Sequence, residues 1–201
     1  MRGGVLLRRA ARRVAAIFFV SAMAGSLLAR GAVFELNPAQ TDVSFTLGDV
    51  LHTVHGVFKL KSGKIEFDPA TGVASGLIVV DATSGASGSD GRDHRMHKEV
   101  LESPRFPEVT FTPQRVVGRV APQGPSQVEI QGMMKLHGAE HALALKAQVE
   151  PAGDHWNAVV RFAVPYVDWG LKNPSTFILR VSREVSIDIR TAGSLTGLAA
   201  Q

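Results

Sequence analysis

The chain has 201 residues, no cysteine, and 22 Lys and Arg against 18 Asp and Glu, a formal charge of +4. Six arginines (2, 8, 9, 12, 13 and 30) fall in residues 1–31, which hold no acid and no lysine, so the rest of the chain carries 16 basic against 18 acidic residues. That balance excludes the basic face a nucleic-acid binder needs, the lack of cysteine excludes disulfides and a thiol nucleophile, and the length fits one all-β domain with a sizeable core.

Residues 1–31 have the three parts of an export signal: an Arg-rich start, an apolar run from Val14 to Ala29, and small residues at Ala29 and Gly31. Cleavage after Gly31 is expected, because cleavage after Ala32 would put Arg30 where a small side chain is wanted. The alternative is an uncleaved inner-membrane anchor facing the periplasm, since the apolar run is just short of the roughly 17 to 25 residues that span a bilayer. Arg8-Arg9 and Arg12-Arg13 raise a twin-arginine route, but neither pair is followed by a convincing motif. The division expected is a signal peptide over 1–31, a domain over 32–192 and a flexible tail over 193–201.

Alternating apolar and polar residues predict strands at 41–49, 53–60, 63–68, 76–82, 108–112, 114–121, 126–136, 141–150, 156–164 and 176–190. In the last of these Phe177, Leu179, Val181, Val185, Ile187 and Ile189 share one parity, while Ser182, Glu184, Asp188 and Arg190 take the other. A period of two buries one face and wets the other. Turn chemistry separates the strands at Asp68-Pro69-Ala70-Thr71-Gly72, Pro122-Gln123-Gly124-Pro125, Pro151-Ala152-Gly153-Asp154 and Asn173-Pro174. Short strands joined this way form a meander that closes into a barrel or packs as a sandwich, and closure is favoured because it removes exposed edges. After the Gly/Ser run Ser84–Gly91, residues 92–102 change to helical spacing with Met96, Val100 and Leu101 on one side. Ser89 or Asp90 is placed to cap this helix, and Pro104 with Pro107 to end it. It is either a lid over an open barrel end or a plain connector.

Polar residues offer little catalysis. His52/His55, His94/His97 and His137/His141 suggest metal ligation, with His94 and His97 better placed beside Asp93, but no third ligand stands at a fixed spacing. Solvated helix histidines are the simpler reading. Asp90 and Asp93 are read as helix-start charges. No G-x-S-x-G turn or phosphate-binding glycine loop is present. The apolar residues say more: Phe45, Phe58, Phe67, Phe111, Met134, Phe162 and Phe177 take inward parity, as core or as the wall of a ligand cavity. Gly56, Gly76, Gly132, Ala142 and Ala144 either make room for a ligand or mark bends and bulges.

From Phe34 to Arg190 the residues resemble the YceI-like lipid-binding (polyisoprenoid-binding) family. Phe34-Glu35-Leu36-Asn37-Pro38-Ala39-Gln40-Thr41-Asp42-Val43-Ser44-Phe45 is similar to its first strand with a polar turn. His55-Gly56-Val57-Phe58 with Ser62-Gly63-Lys64-Ile65-Glu66-Phe67-Asp68 resembles its second hairpin. Arg92-Asp93 with Met96, then Phe106-Pro107-Glu108-Val109-Thr110-Phe111, resembles its R-D helix and following strand. Gly132-Met133-Met134-Lys135-Leu136-His137-Gly138 with Leu143 and Leu145 resembles a later hairpin. The resemblance implies an all-β fold, an extended antiparallel lipocalin-like β-barrel with one short helix, exported to the periplasm. It also implies an elongated apolar pore that holds a polyisoprenoid, quinone-like or fatty acyl chain, with no catalytic residue and no required cofactor. The ligand-binding residues expected are Phe45, Phe58, Phe67, Phe111, Met134, Phe162, Trp169, Phe177 and Leu179, with no metal site. Partners expected are the lipid and no nucleic acid, with transient membrane contact and a homodimer left open. The chain departs from the family at Arg95, where a His is usual, at Ser103-Pro104-Arg105 and at Pro165–Gly170, so the lid and pore mouth are expected to differ. The alternative function is a filled barrel whose helix surface recruits an envelope partner.

Overall fold

The computed structural model describes residues 31–48, 53–175 and 180–198. The leader up to Arg30, His52, Phe177 and Leu179 lie outside them. Eight strands follow in chain order: β1 (Ala32–Gly48), β2 (Thr53–Phe67), β3 (Ala74–Ala86), β4 (Glu108–Val117), β5 (Ser126–Leu136), β6 (Ala139–Ala152), β7 (His155–Val164) and β8 (Val185–Thr196). Each pairs antiparallel with its sequence neighbour and β8 returns to β1, closing an up-and-down barrel. Closure leaves no exposed edge.

Eight strands form where ten were expected because two pairs of segments are single strands that carry a bulge. Segments 53–60 and 63–68 are both β2, whose register against β3 slips between Leu60 and Ser62. Segments 108–112 and 114–121 are both in β4, slipping against β5 between Pro113 and Arg115. Pro113 has no N–H to give a ladder, and a bulge is where a strand tolerates it. An extra residue also reverses which parity faces in. Thus Phe58 and Phe67 both face the interior from β2, and Phe111 and Val116 are both buried in β4. β1 is longer than expected, with a bulge over 37–40 where the Asn37 side chain accepts from Ala39 N and donates to Gln40. β8 begins at Val185 and runs through Gly193 to Thr196, so residues 193–196, expected in a tail, are strand.

The small residues expected to make room for a ligand or to mark bends have specific causes. A Cβ on Gly56 would lie 2.3 Å from the Phe45 ring, and one on Gly132 would lie 2.7 Å from the Phe111 ring. Both make room for an aromatic side chain and not for a ligand. Ala142 and Ala144 are exposed.

The two barrel ends differ. At the end where β1 starts, Ala32, Ile65, Phe67, Val116, Val128 and Ala147 form a buried cluster, with a residual void of about 40 Å³. Toward the other end Phe111, Met134, Leu136, Leu145, Val164, Tyr166 and Leu171 form a second cluster. The interior is therefore filled at one end and hollow toward the other.

Charges hold the outside. Arg161 of β7 faces Asp188 of β8 across the ladder and donates Nε to Oδ2 at 2.6 Å, while Arg190 Nε donates to Oδ1 at 3.2 Å. The Arg161 hydrogen bond holds the Asp188 carboxyl below the ordinary value against the cost of desolvation, and the Arg190 hydrogen bond adds a smaller pull in the same direction. A carboxyl whose folded pKa is depressed stabilises above its unfolded pKa, about 3.9, and loses that as pH falls through the folded value. Asp188→Asn should therefore melt below the parent at neutral pH, with the gap closing in acid and shrinking in high salt. A gap that persists unchanged at low pH would assign the effect to packing.

Candidate functional site

Between the blind end and the helix lies a cavity of about 600 Å³. Its wall is apolar because every strand but β6 turns aliphatic or aromatic residues into it, among them Val43, Phe45 and Leu47 of β1, Val80 of β3 and Val185, Ile187 and Ile189 of β8. Of the residues expected to bind ligand, Phe45, Phe58, Met134 and Phe162 line it. Phe45 and Phe58 meet at a ring-centroid distance of 5.3 Å and a tilt of 43°. Phe67 lies in the blind-end cluster and Phe111 in the second buried cluster, outside the wall. Trp169 lies flat on His141, with centroids 4.0 Å apart and planes 3° apart, away from the wall. Phe177 and Leu179 are outside the described residues.

The helix starts and ends two residues earlier than expected and covers the open end. It consists of α1 (Asp90–Arg95) followed by a π turn, Met96–Val100. The wider turn sets Met96, Val100 and Leu101 against the cavity together, as their spacing predicted. Gly85 lies beneath both Met96 and Phe58; a Cβ there would stand 2.8 Å from Met96 Cε and 2.5 Å from the Phe58 ring. This packing docks the lid on β2 and β3.

Polar groups then fix the lid. Ser89 occupies the cap position but its side chain makes no cap bond; its carbonyl accepts from Asp93 N. Asp93 instead accepts from Ser87 N at 2.9 Å and from the Ser87 hydroxyl. Arg92 donates Nε to Ser87 Oγ at 2.7 Å and Nη2 to Ser87 O at 2.8 Å. The Arg-Asp pair is thus a clamp on Ser87, the residue that follows β3. His97 is not a solvated helix residue: Nε2 contacts Gly85 O and Nδ1 contacts Ser103 Oγ, both at 2.9 Å. A carbonyl only accepts, so Nε2 carries a proton, while the serine hydroxyl can serve Nδ1 as donor or acceptor. Both ring nitrogens are then engaged, and among the described residues no cluster of three His, Asp or Glu has metal-binding geometry. Lys172 Nζ reaches Glu99 Oε2 at 2.6 Å and ties the lid to the loop after β7.

That loop places Tyr166 in the wall, where its hydroxyl donates to Ser182 O at 2.7 Å. Burial holds the phenol above the ordinary tyrosine range, against a weaker opposing pull from Arg183. It is therefore a neutral donor at physiological pH. Tyr166→Phe should lower stability by about 1 kcal/mol, the net worth of one neutral hydrogen bond, and leave the cavity's volume unchanged. Urea midpoints check this, and a loss beyond about 3 kcal/mol would show that the bond organises the whole loop.

The lining residues with no strand-alternation signal were the hardest to foresee. Tyr166, Leu171 and Pro174 come from the loop after β7, and Arg92 and Arg95 from the lid. Their trace in the sequence is indirect: helical spacing around the two arginines, and the placing of the Tyr166–Pro174 loop near the pore mouth.

Comparison with known families finds a match to the YceI-like domain over residues 34–192. No curated protein matches. Among solved structures, Burkholderia cenocepacia BcnA has a TM-score of 0.63 at 16% identity, covering 78% of this chain and 98% of that one. A polyisoprenoid binding domain from Saccharophagus degradans, described as implicated in plant cell wall breakdown, has a TM-score of 0.59 at 14% identity, with 81% and 97% covered. The Campylobacter jejuni YceI protein has a TM-score of 0.59 at 16% identity, with 72% and 86% covered. These identities carry the fold: the same closed barrel. With the family match spanning β1 to β8, the chain belongs to the YceI-like family.

Proposed function

We propose that this chain is a periplasmic carrier that holds a long apolar lipid, a polyisoprenoid, isoprenoid quinone or fatty acyl chain, inside its barrel. The observation that carries this is the 600 Å³ cavity walled by aliphatic and aromatic side chains and covered by a helix. At about 30 Å³ for each water-sized group, it holds about 20 such groups. Burying that many methylenes at ~0.8 kcal/mol each is a large gross driving force before the costs of ordering chain and ligand. A tail longer than this protrudes at the mouth, because the far end is blind. The polar lid groups Ser87, Asp93 and His97 are bonded to one another, to Ser103 or to backbone, which suits holding a ligand and not converting it. The leader over residues 1–31 supports delivery to the periplasm. The filled-scaffold alternative has no use for such a cavity.

Displacement of an environment-sensitive fluorescent acyl probe by geraniol, farnesol and geranylgeraniol tests the proposal. Affinity should rise along the series up to the 20 carbons of geranylgeraniol, in step with the roughly 0.8 kcal/mol per methylene of apolar transfer. Absence of displacement, or affinity that ignores chain length, would defeat it.

A further inference from the structure

The cavity's mouth carries charge of one sign. Among the described residues that line it, the only charged ones are Arg92 and Arg95, and no carboxylate does. They and Gly91 are also its only exposed lining residues, so both guanidiniums stand where the apolar interior meets water.

The nearby acids are committed elsewhere. Asp93 accepts from Ser87, and Glu99 is bonded to Lys172 at 2.6 Å while feeling Arg95 only as a more distant charge. Arg92 is held by two hydrogen bonds to Ser87, with the remaining donors of its five-donor fork unused by them. Arg95 makes no hydrogen bond or ion pair with the described residues. Long arginine stems on an apolar wall are ordinary snorkelling. That explains where the stems lie, but not a rim lined by two cations and no acid. A planar fork matches a phosphate or carboxylate in a way a point charge does not. A neutral hydroxyl or quinone gains little from it.

We infer that the lid arginines select an amphiphile with an anionic head group, a phosphate monoester or a carboxylate, bound at Arg92 and Arg95 with its tail in the barrel. This rests on the carrier reading and names the ligand class for the same site. Arg92 doubles as the Ser87 clamp, so Arg95 is the clean test.

The experiment compares three ligands with one tail, geranylgeraniol, geranylgeranyl monophosphate and geranylgeranoic acid, on the parent, Arg95→Gln and Arg95→Lys proteins. Each is measured below its micelle concentration at low and high salt. The parent should bind an anionic ligand about tenfold more tightly than the alcohol at low salt, with the advantage shrinking as salt rises. Arg95→Gln should remove most of that advantage, costing the anions far more affinity than the alcohol, and Arg95→Lys should keep part of it. The tighter anion names the head group. Equal binding of alcohol and anions, or an Arg95→Gln loss of the same size for all three ligands, overturns the inference and leaves the carrier reading standing. If none of the three binds, both fall together.

Discussion

Ile187→Trp should empty the barrel of ligand while leaving it folded. Ile187 lies on β8 between Phe45 of β1 and Phe162 of β7, and all three line the cavity. An indole there projects into space that a lipid tail would occupy. Excluding even three methylene-sized groups forfeits about 2.4 kcal/mol at ~0.8 kcal/mol each, a roughly 50-fold weaker complex. The new ring fills a void and displaces no packed side chain, so the urea midpoint of the ligand-free protein should hold or rise. Probe titration beside urea denaturation checks both halves. Undiminished binding would mean that the tail lies elsewhere.

Gly76→Ala should do the opposite, damaging the fold before it touches the ligand. Gly76 sits in β3 opposite Ile65 with φ of +124°, and a Cβ would stand 2.2 Å from the Lys64 carbonyl oxygen. That oxygen belongs to the neighbouring strand's backbone and cannot swing aside. Strain of about 1–3 kcal/mol at a positive φ adds to overpacking of about 1–3 kcal/mol, so a loss of about 3 kcal/mol or more is expected. Gly124→Ala is the control: its φ is also positive, at +73°, but nothing lies within 4 Å of its Cβ, so only the strain applies. Matching urea midpoints for the two variants would contradict the close approach of β2 and β3.

Strand existence was legible in the sequence because alternation survives wherever one face is dry. Val185, Ile187 and Ile189 share a parity in the chain and a cavity in space. Continuity was not legible, since a bulge resets parity and reads locally as a break. The bulges at Lys61 and Gln114 each split one strand in two for that reason. The same reset hid the depth of each aromatic: Phe58 and Phe67 both face in from β2, but only Phe58 reaches the cavity. Periodicity fixes the face a residue takes and not its height along a barrel axis.

The lid was half legible. Met96, Val100 and Leu101 were placed on one side by spacing, and all three line the cavity. The π turn was hidden because an i to i+5 bond, here Leu101 N to Met96 O at 2.9 Å, leaves no mark in composition. Trp169 shows the opposite failure: a large apolar residue close to the mouth in sequence, whose better partner is the flat face of His141.

The central claim is that the cavity holds a lipid, and native mass spectrometry with organic extraction tests it most directly. The mature domain would be purified from a membrane-rich host without added detergent. A stoichiometric adduct that extracts as an isoprenoid or acyl lipid, and that Ile187→Trp abolishes, is the expected result. A clean apo mass that stays apo after incubation with prenyl lipids, quinones and fatty acids would contradict it.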